Sequence, residues 1–290
     1  MNFVTFYQGE EKKLGILKDE AIVDIGQVAN RLNHSVPQSL DACINSDESA
    51  MDAIGKLLES ATNEEMLAAN DVNLAPPVSN PEKILCVGLN YRQHANEMNS
   101  PIPEIPVVFS KFSNALSAHE ETVSIPEITD KVDHEVELAI IIGETAKSVS
   151  VERALEHVFG YTIANDLSAR DLQKRTSQWV LGKSCDGFCP IGPSVVTTDE
   201  IPDPQTLSLQ TVVNGEVKQS STTADMIFSC AEIISHISHH MTLKPGDIIL
   251  TGTPEGVIMG EPEETREFLK QGDRIDLHID QLGTLTTHLR

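Results

Sequence analysis

Between residues 84 and 279 the chain passes through eight short, apolar, β-prone stretches, at 84–87, 107–110, 136–142, 160–164, 194–197, 207–213, 247–251 and 274–279. Turn-forming residues divide them. Only two helical patterns of any length interrupt the series, at 151–158 and 224–241. A doubly wound parallel sheet needs a crossover helix for nearly every strand, and this chain does not supply them. The pattern predicts an α+β, β-rich fold with a mixed, rolled or barrel-like sheet at its core. Asn214-Gly215 between two strand-like runs predicts a tight hairpin.

The first 75 residues read differently. Alternating segments at 3–6 and 21–25 are followed by a helical stretch at 49–61. Pro76, Pro77 and Pro81 then fall within seven residues, where they remove backbone donors and fix φ. This places a boundary between a small N-terminal α+β domain, 1–75, and a larger β-rich domain, 76–290. A chain of 290 residues is long enough for both cores.

Charge narrows the partners. With 44 Asp and Glu against 21 Lys and Arg, the formal charge is −23, and the few cations are scattered, so no nucleic acid is expected to bind. The longest apolar run, 138–142, is too short for a bilayer, and Met1-Asn2-Phe3-Val4 does not start a signal peptide. The expectation is a soluble, cytoplasmic protein with no membrane partner. Five cysteines, an odd number without CxxC spacing, read as free thiols.

The chemistry concentrates in Asp133-His134-Glu135-Val136-Glu137-Leu138. Period-two geometry puts Glu135 and Glu137 on one face of a strand. Two like charges entering an apolar strand repel. Either a solvated sheet edge or a bound cation relieves them. A third carboxylate, Asp166, ends another strand-like run and favours the cation. Three oxygen donors without Cys or His suit Mg²⁺ or Mn²⁺, and Ca²⁺ also, better than Zn²⁺. A cation with open positions serves reactions that pass through the enolate of a small 2-oxo acid.

Five segments, LNYRQHANEM (89–98), DHEVELAIIIG (133–143), NDLSARDLQ (165–173), GKSCDGFCPIGP (182–193) and TGTPEGV (251–257), together resemble the fumarylacetoacetate hydrolase family. The likeness runs in order from about residue 83 to 290. It implies Glu135, Glu137 and Asp166 as metal ligands, the same three that spacing picks out. It also implies His94, Glu97 and Lys183 as catalytic residues, with Arg170, Gln173 and Thr253 facing substrate. His94 and Glu97, three apart, would share one helix face, the Glu orienting the His as a base. Without the resemblance His94 reads as a solvated surface residue, and Arg170 as an ion-pair partner of Asp166 or Asp171.

The implied activity is metal-dependent cleavage of a C–C bond in 2,4-dioxo acids such as acylpyruvates or fumarylpyruvate, or decarboxylation of oxaloacetate. Isomerisation or decarboxylation of 2-hydroxyhepta-2,4-diene-1,7-dioate is the alternative, and a non-catalytic metal- and metabolite-binding protein is the rival of another class. A homodimer is expected from the resemblance. Two departures bear on the substrate: Lys111-Phe112 stands where many relatives have Lys-Pro, and His134 where Tyr is common. Gly88 and the prolines at 101, 103 and 106 leave room for only two or three helical turns around His94, which predicts a loosely ordered lid.

Overall fold

The computed structural model describes residues 1–290. Its organising strand is Val136–Ile142, seven consecutive residues all buried, as a strand covered on both faces must be. It pairs antiparallel with Val158–Asn165 on one side and Ile248–Leu250 on the other. One direction continues through Cys189–Thr197, Asn2–Gln8, Glu11–Lys18 and Ala21–Asp24 to Met66–Ala68. The other runs through Ile84–Gly88 to Val107–Lys111. Two short strands, Leu74–Ala75 and Leu116–Ser117, complete a twelve-stranded sheet. Ile248–Leu250 and Ile84–Gly88 run parallel, so the sheet is mixed.

A second sheet of five strands is ordered Glu216–Thr222, Ser208–Val213, Arg274–Ile279, Gly283–Leu289 and Thr122–Val123. Both sheets have free edges, and the roll is open. The Asn214-Gly215 hairpin forms as expected, both residues at positive φ (51° and 86°). No helix is long and apolar enough to cross a membrane.

Strand alternation divides the core. Leu138, Ile140 and Ile142 face a cluster that includes Leu209, Ile275 and Leu277 of the second sheet and Ile233, Ile234 and Ile237 of the helix Cys230–His240. Ala139 and Ile141 face the opposite way, into a cluster shared with Phe3, Ile16, Val28 and Leu40. Burying each large aliphatic side chain contributes roughly 1.5–3 kcal/mol. Residues 1–75 thus continue the sheet of residues 76–290 and close its second face.

Two helical patterns differ from expectation. Residues Val151–His157 form 3₁₀ turns. The second helix begins at Cys230, six residues later than the pattern suggested, where Ser229 and Glu232 make a reciprocal capping box. The residues before it are drawn out of helical geometry: Met226 bridges to Tyr91, and the Ile227 N–H donates to the Asn90 carbonyl at 2.7 Å.

Candidate active site

The register of the central strands assembles the carboxylates. Val136 lies opposite Asn165 and Glu137 opposite Ala164. The ladder extends one step further, the Asp166 N–H donating to the Glu135 carbonyl at 3.0 Å. Glu135 and Asp166 are therefore cross-strand neighbours, and Glu137 lies two residues along the same face. Carboxylate oxygens of all three lie within 4.8 Å of one another. All three residues are buried.

Burying them requires countercharge. The Lys183 ammonium donates to Glu135 and to Asp166, 2.5 Å from each. Lys111, fully buried, donates to the other oxygen of Asp166 and to the Leu167 carbonyl (3.2 Å). Arg170 donates to Glu135 (2.7 Å), Asp133 (2.8 Å) and the side-chain oxygen of Gln173 (3.1 Å). Burial alone would raise the pKa of Glu135, but Arg170 and Lys183 reverse this and hold it well below the usual carboxylate range. Burial opposes the charge on Lys183 too, and Asp166 and Glu135 outweigh it, raising the ammonium's pKa.

Glu137 lacks such a partner. Its single hydrogen bond comes from the Gly252 N–H at 2.6 Å. Burial, then Asp166 and Glu135, push its pKa well above the ordinary value. The cluster is therefore short of positive charge at Glu137, and a hard cation bound by the three carboxylates fits that deficit. Gly252 sits at φ 101°, and a Cβ there would come within 2.9 Å of Asn90 and of the Val87 carbonyl, so only glycine turns its N–H toward Glu137 at this approach.

His94 and Glu97 lie on the short helix Arg92–Glu97. His94 Nδ1 and Glu97 Oε2 are 2.9 Å apart. A carboxylate only accepts, so Nδ1 carries the proton of this bond, and Nε2 is the ring nitrogen left to exchange a proton with a ligand. Glu97 is held in turn by the Gly256 N–H (2.8 Å), and Gly260 packs so closely that a Cβ would lie 2.3 Å from the Glu97 carboxyl carbon. The Asn90 side chain ties the near end to the Thr251 and Phe228 carbonyls at 2.7 and 3.1 Å. These attachments fasten the helix at both ends.

A cavity of about 290 Å³ opens over these groups. Eight of the nine side chains singled out in the sequence line it: His94, Glu135, Glu137, Asp166, Arg170, Gln173, Lys183 and Thr253. Glu97 stands behind His94 instead. Arg170 is both a cavity residue and the ion-pair partner that sequence left open, with Asp133 and Glu135 in place of Asp166 or Asp171. Sequence reading missed Lys111, Asp133, Trp179 and Gln219. Lys111 closes the apolar strand Val107–Lys111, the same break in pattern that exposed Glu137. Asp133 receives the N–H groups of Ile258 and Met259 as well as Arg170. Trp179 packs edge-on to Phe109 (5.2 Å between centroids), whose ring lies 5.1 Å from the Lys183 ammonium.

A buried acidic triad, a lysine held between two of its members and an oriented imidazole in one small polar cavity are the parts of an enzyme centre built to stabilise developing negative charge. Residues 83–290 match the fumarylacetoacetate (FAA) hydrolase C-terminal family, and the chain belongs to the fumarylacetoacetate hydrolase family of enzymes. Oxaloacetate tautomerase YisK of Bacillus subtilis is 43% identical over 286 residues, covering 94% of this chain and 94% of that protein. Among solved structures, fumarylacetoacetate hydrolase from Exiguobacterium antarcticum matches with a TM-score of 0.85 and 35% identity, over 100% of this chain and 99% of that one. Maleylpyruvate hydrolase from Sphingobium sp. SYK-6, in complex with manganese(II) ion and pyruvate, matches with a TM-score of 0.81 and 32% identity, over 100% and 98% of the two chains.

Proposed function

We propose that this enzyme enolises small 2-oxo acids with the help of Mg²⁺ or Mn²⁺, and that oxaloacetate is its substrate. The observation that carries the reading is the charge-deficient triad of Glu135, Glu137 and Asp166 beside Lys183. The likeness to an oxaloacetate tautomerase supports the substrate, and the manganese complex of a relative supports the class of ion.

A divalent cation held by the three carboxylates would supply Lewis-acid polarisation of a 2-oxo acid. His94 Nε2 takes a proton from the carbon next to the keto group, and Glu97 steadies the imidazolium that results. The Lys183 ammonium faces the oxygen on which charge develops. Thr253 and Gln173 orient the carboxylate end, while Arg170 holds Glu135 and Gln173 in place. Phe109 and Trp179 wall off water.

Hydrolysis of a 2,4-dioxo acid is the second reading, favoured by the likeness to maleylpyruvate hydrolase. There His94 draws its proton from water. We also take residues 1–75 as an appended domain that buttresses residues 76–290, and two copies as the working assembly. Exposed Phe112 and Leu181, at one end of the twelve-stranded sheet, support such pairing.

The test follows the ultraviolet absorbance of the oxaloacetate enol, and pyruvate release from oxaloacetate and acylpyruvates, with Mg²⁺, Mn²⁺ or excess chelator. Metal-dependent keto–enol exchange without pyruvate release is the expected result. Full activity in chelator would remove the cation from the reading. Pyruvate release from acylpyruvates alone would select the hydrolase.

A further inference from the structure

Gln219, on the strand Glu216–Thr222, belongs to none of the five motifs, yet its side chain is 1% exposed and makes five hydrogen bonds. Its oxygen lies 3.1 Å from the backbone nitrogen of Val136, 2.7 Å from Thr211 Oγ1 and 3.1 Å from His134 Nδ1. Its nitrogen lies 2.9 Å from Thr253 Oγ1 and 2.9 Å from the Pro254 carbonyl.

The two ends of an amide are easily exchanged, but here the backbone decides. The Val136 N–H can only donate, so the amide oxygen must face it. The Pro254 carbonyl can only accept, so the NH₂ must face that side. Both constraints agree. Thr253 Oγ1 is therefore an acceptor from Gln219, and its own proton is free. No group of the protein receives that proton, and Thr253 lines the cavity.

We propose that Gln219 is a positioning residue that turns the Thr253 hydroxyl proton toward the cavity, biasing this position toward a ligand group that presents a bare carboxylate oxygen. A hydroxyl free to rotate would serve donors and acceptors alike. With one of its two lone pairs already taken and its proton unclaimed, the Thr253 hydroxyl is biased toward donating, and it gains most from a charged acceptor and least from a group that can only donate. Gln219 also joins the second sheet to both the metal-ligand strand, through Val136, and the substrate loop, through Thr253 and Pro254. Carboxylate recognition is thus set from a strand that contributes no side chain to the cavity.

The inference rests on the reading that Thr253 faces a substrate carboxylate, and the experiment separates the two. Oxalate binding in the presence of Mg²⁺ is measured calorimetrically for the full chain and for Thr253→Val, Gln219→Met and the double variant. Each single change is expected to weaken oxalate binding about tenfold, the usual scale for losing one charge-assisted hydrogen bond. The double variant should be no weaker than Thr253→Val, because Gln219 acts through Thr253. Gln219→Glu keeps the volume but offers an oxygen that takes the Thr253 proton, so it should lose oxalate affinity to the same degree even where Gln219→Met does not fold. For oxaloacetate turnover, KM should rise more than kcat falls. Additive losses in the double variant, or unchanged affinity in both Gln219 variants, overturn the inference alone. No oxalate binding to the unaltered protein overturns the proposed function and the inference with it.

Discussion

Lys183→Met tests the electrostatic logic of the site most directly. The ammonium lies 2.5 Å from one oxygen of Glu135 and one of Asp166. At an effective dielectric constant of about 20, each contact is worth roughly 6–7 kcal/mol of gross attraction. Desolvating the buried ammonium cancels most of it, and removing one partner from a buried ion-pair cluster costs about 3–5 kcal/mol net. For a chain of this size that corresponds to a fall in Tm of about 6–15 °C for metal-free protein. Losing this cation leaves the triad more negative, so the variant should bind Mg²⁺ about tenfold more tightly or better and regain much of its stability when loaded. Its kcat should still fall by about 10²–10³, because the charge facing the enolate oxygen is gone. Differential scanning calorimetry with and without Mg²⁺, Mg²⁺ titration and oxaloacetate kinetics read the three quantities. Weaker Mg²⁺ binding together with an unchanged metal-free Tm would refute the argument.

Other expectations follow from the same geometry. Glu137→Gln should weaken Mg²⁺ binding while leaving the Val136–Ile142 strand intact, read by metal titration and circular dichroism. His94→Ala should lower turnover about 10²-fold with little change in oxalate affinity, because the imidazole moves a proton and does not hold the ligand. Gly182→Ala would set a Cβ 2.4 Å from the Gln173 nitrogen and 2.6 Å from the Ala169 carbonyl. It should cost about 1–3 kcal/mol in stability and reduce activity by shifting Lys183, both measurable by urea unfolding and kinetics.

Much of the site was legible because strands have a simple period. Glu135 and Glu137 break an apolar pattern two residues apart, and Asp166 ends a second such run, so local sequence determined which three carboxylates would meet. The abundance of short strands and scarcity of crossover helices likewise determined a mixed, β-rich fold, and Asn214-Gly215 determined its hairpin. Tertiary structure decided what neutralises those carboxylates. Lys111 and Lys183 are 72 residues apart in the chain, and only the pairing of Val107–Lys111 with Ile84–Gly88, together with the short helix Val180–Lys183, brings their ammonium groups to the same aspartate. It also settled Arg170, whose guanidinium reaches Asp133 and Glu135 across a strand pair and not its sequence neighbours. Gln219 was invisible for the same reason: a glutamine in a polar edge strand carries no local signal, and its five partners come from three separate stretches of chain. Side-chain period is a property of a few residues in a row. Charge compensation and hydrogen-bond direction depend on which distant segments share the low-dielectric interior, and the packing of the two sheets sets that.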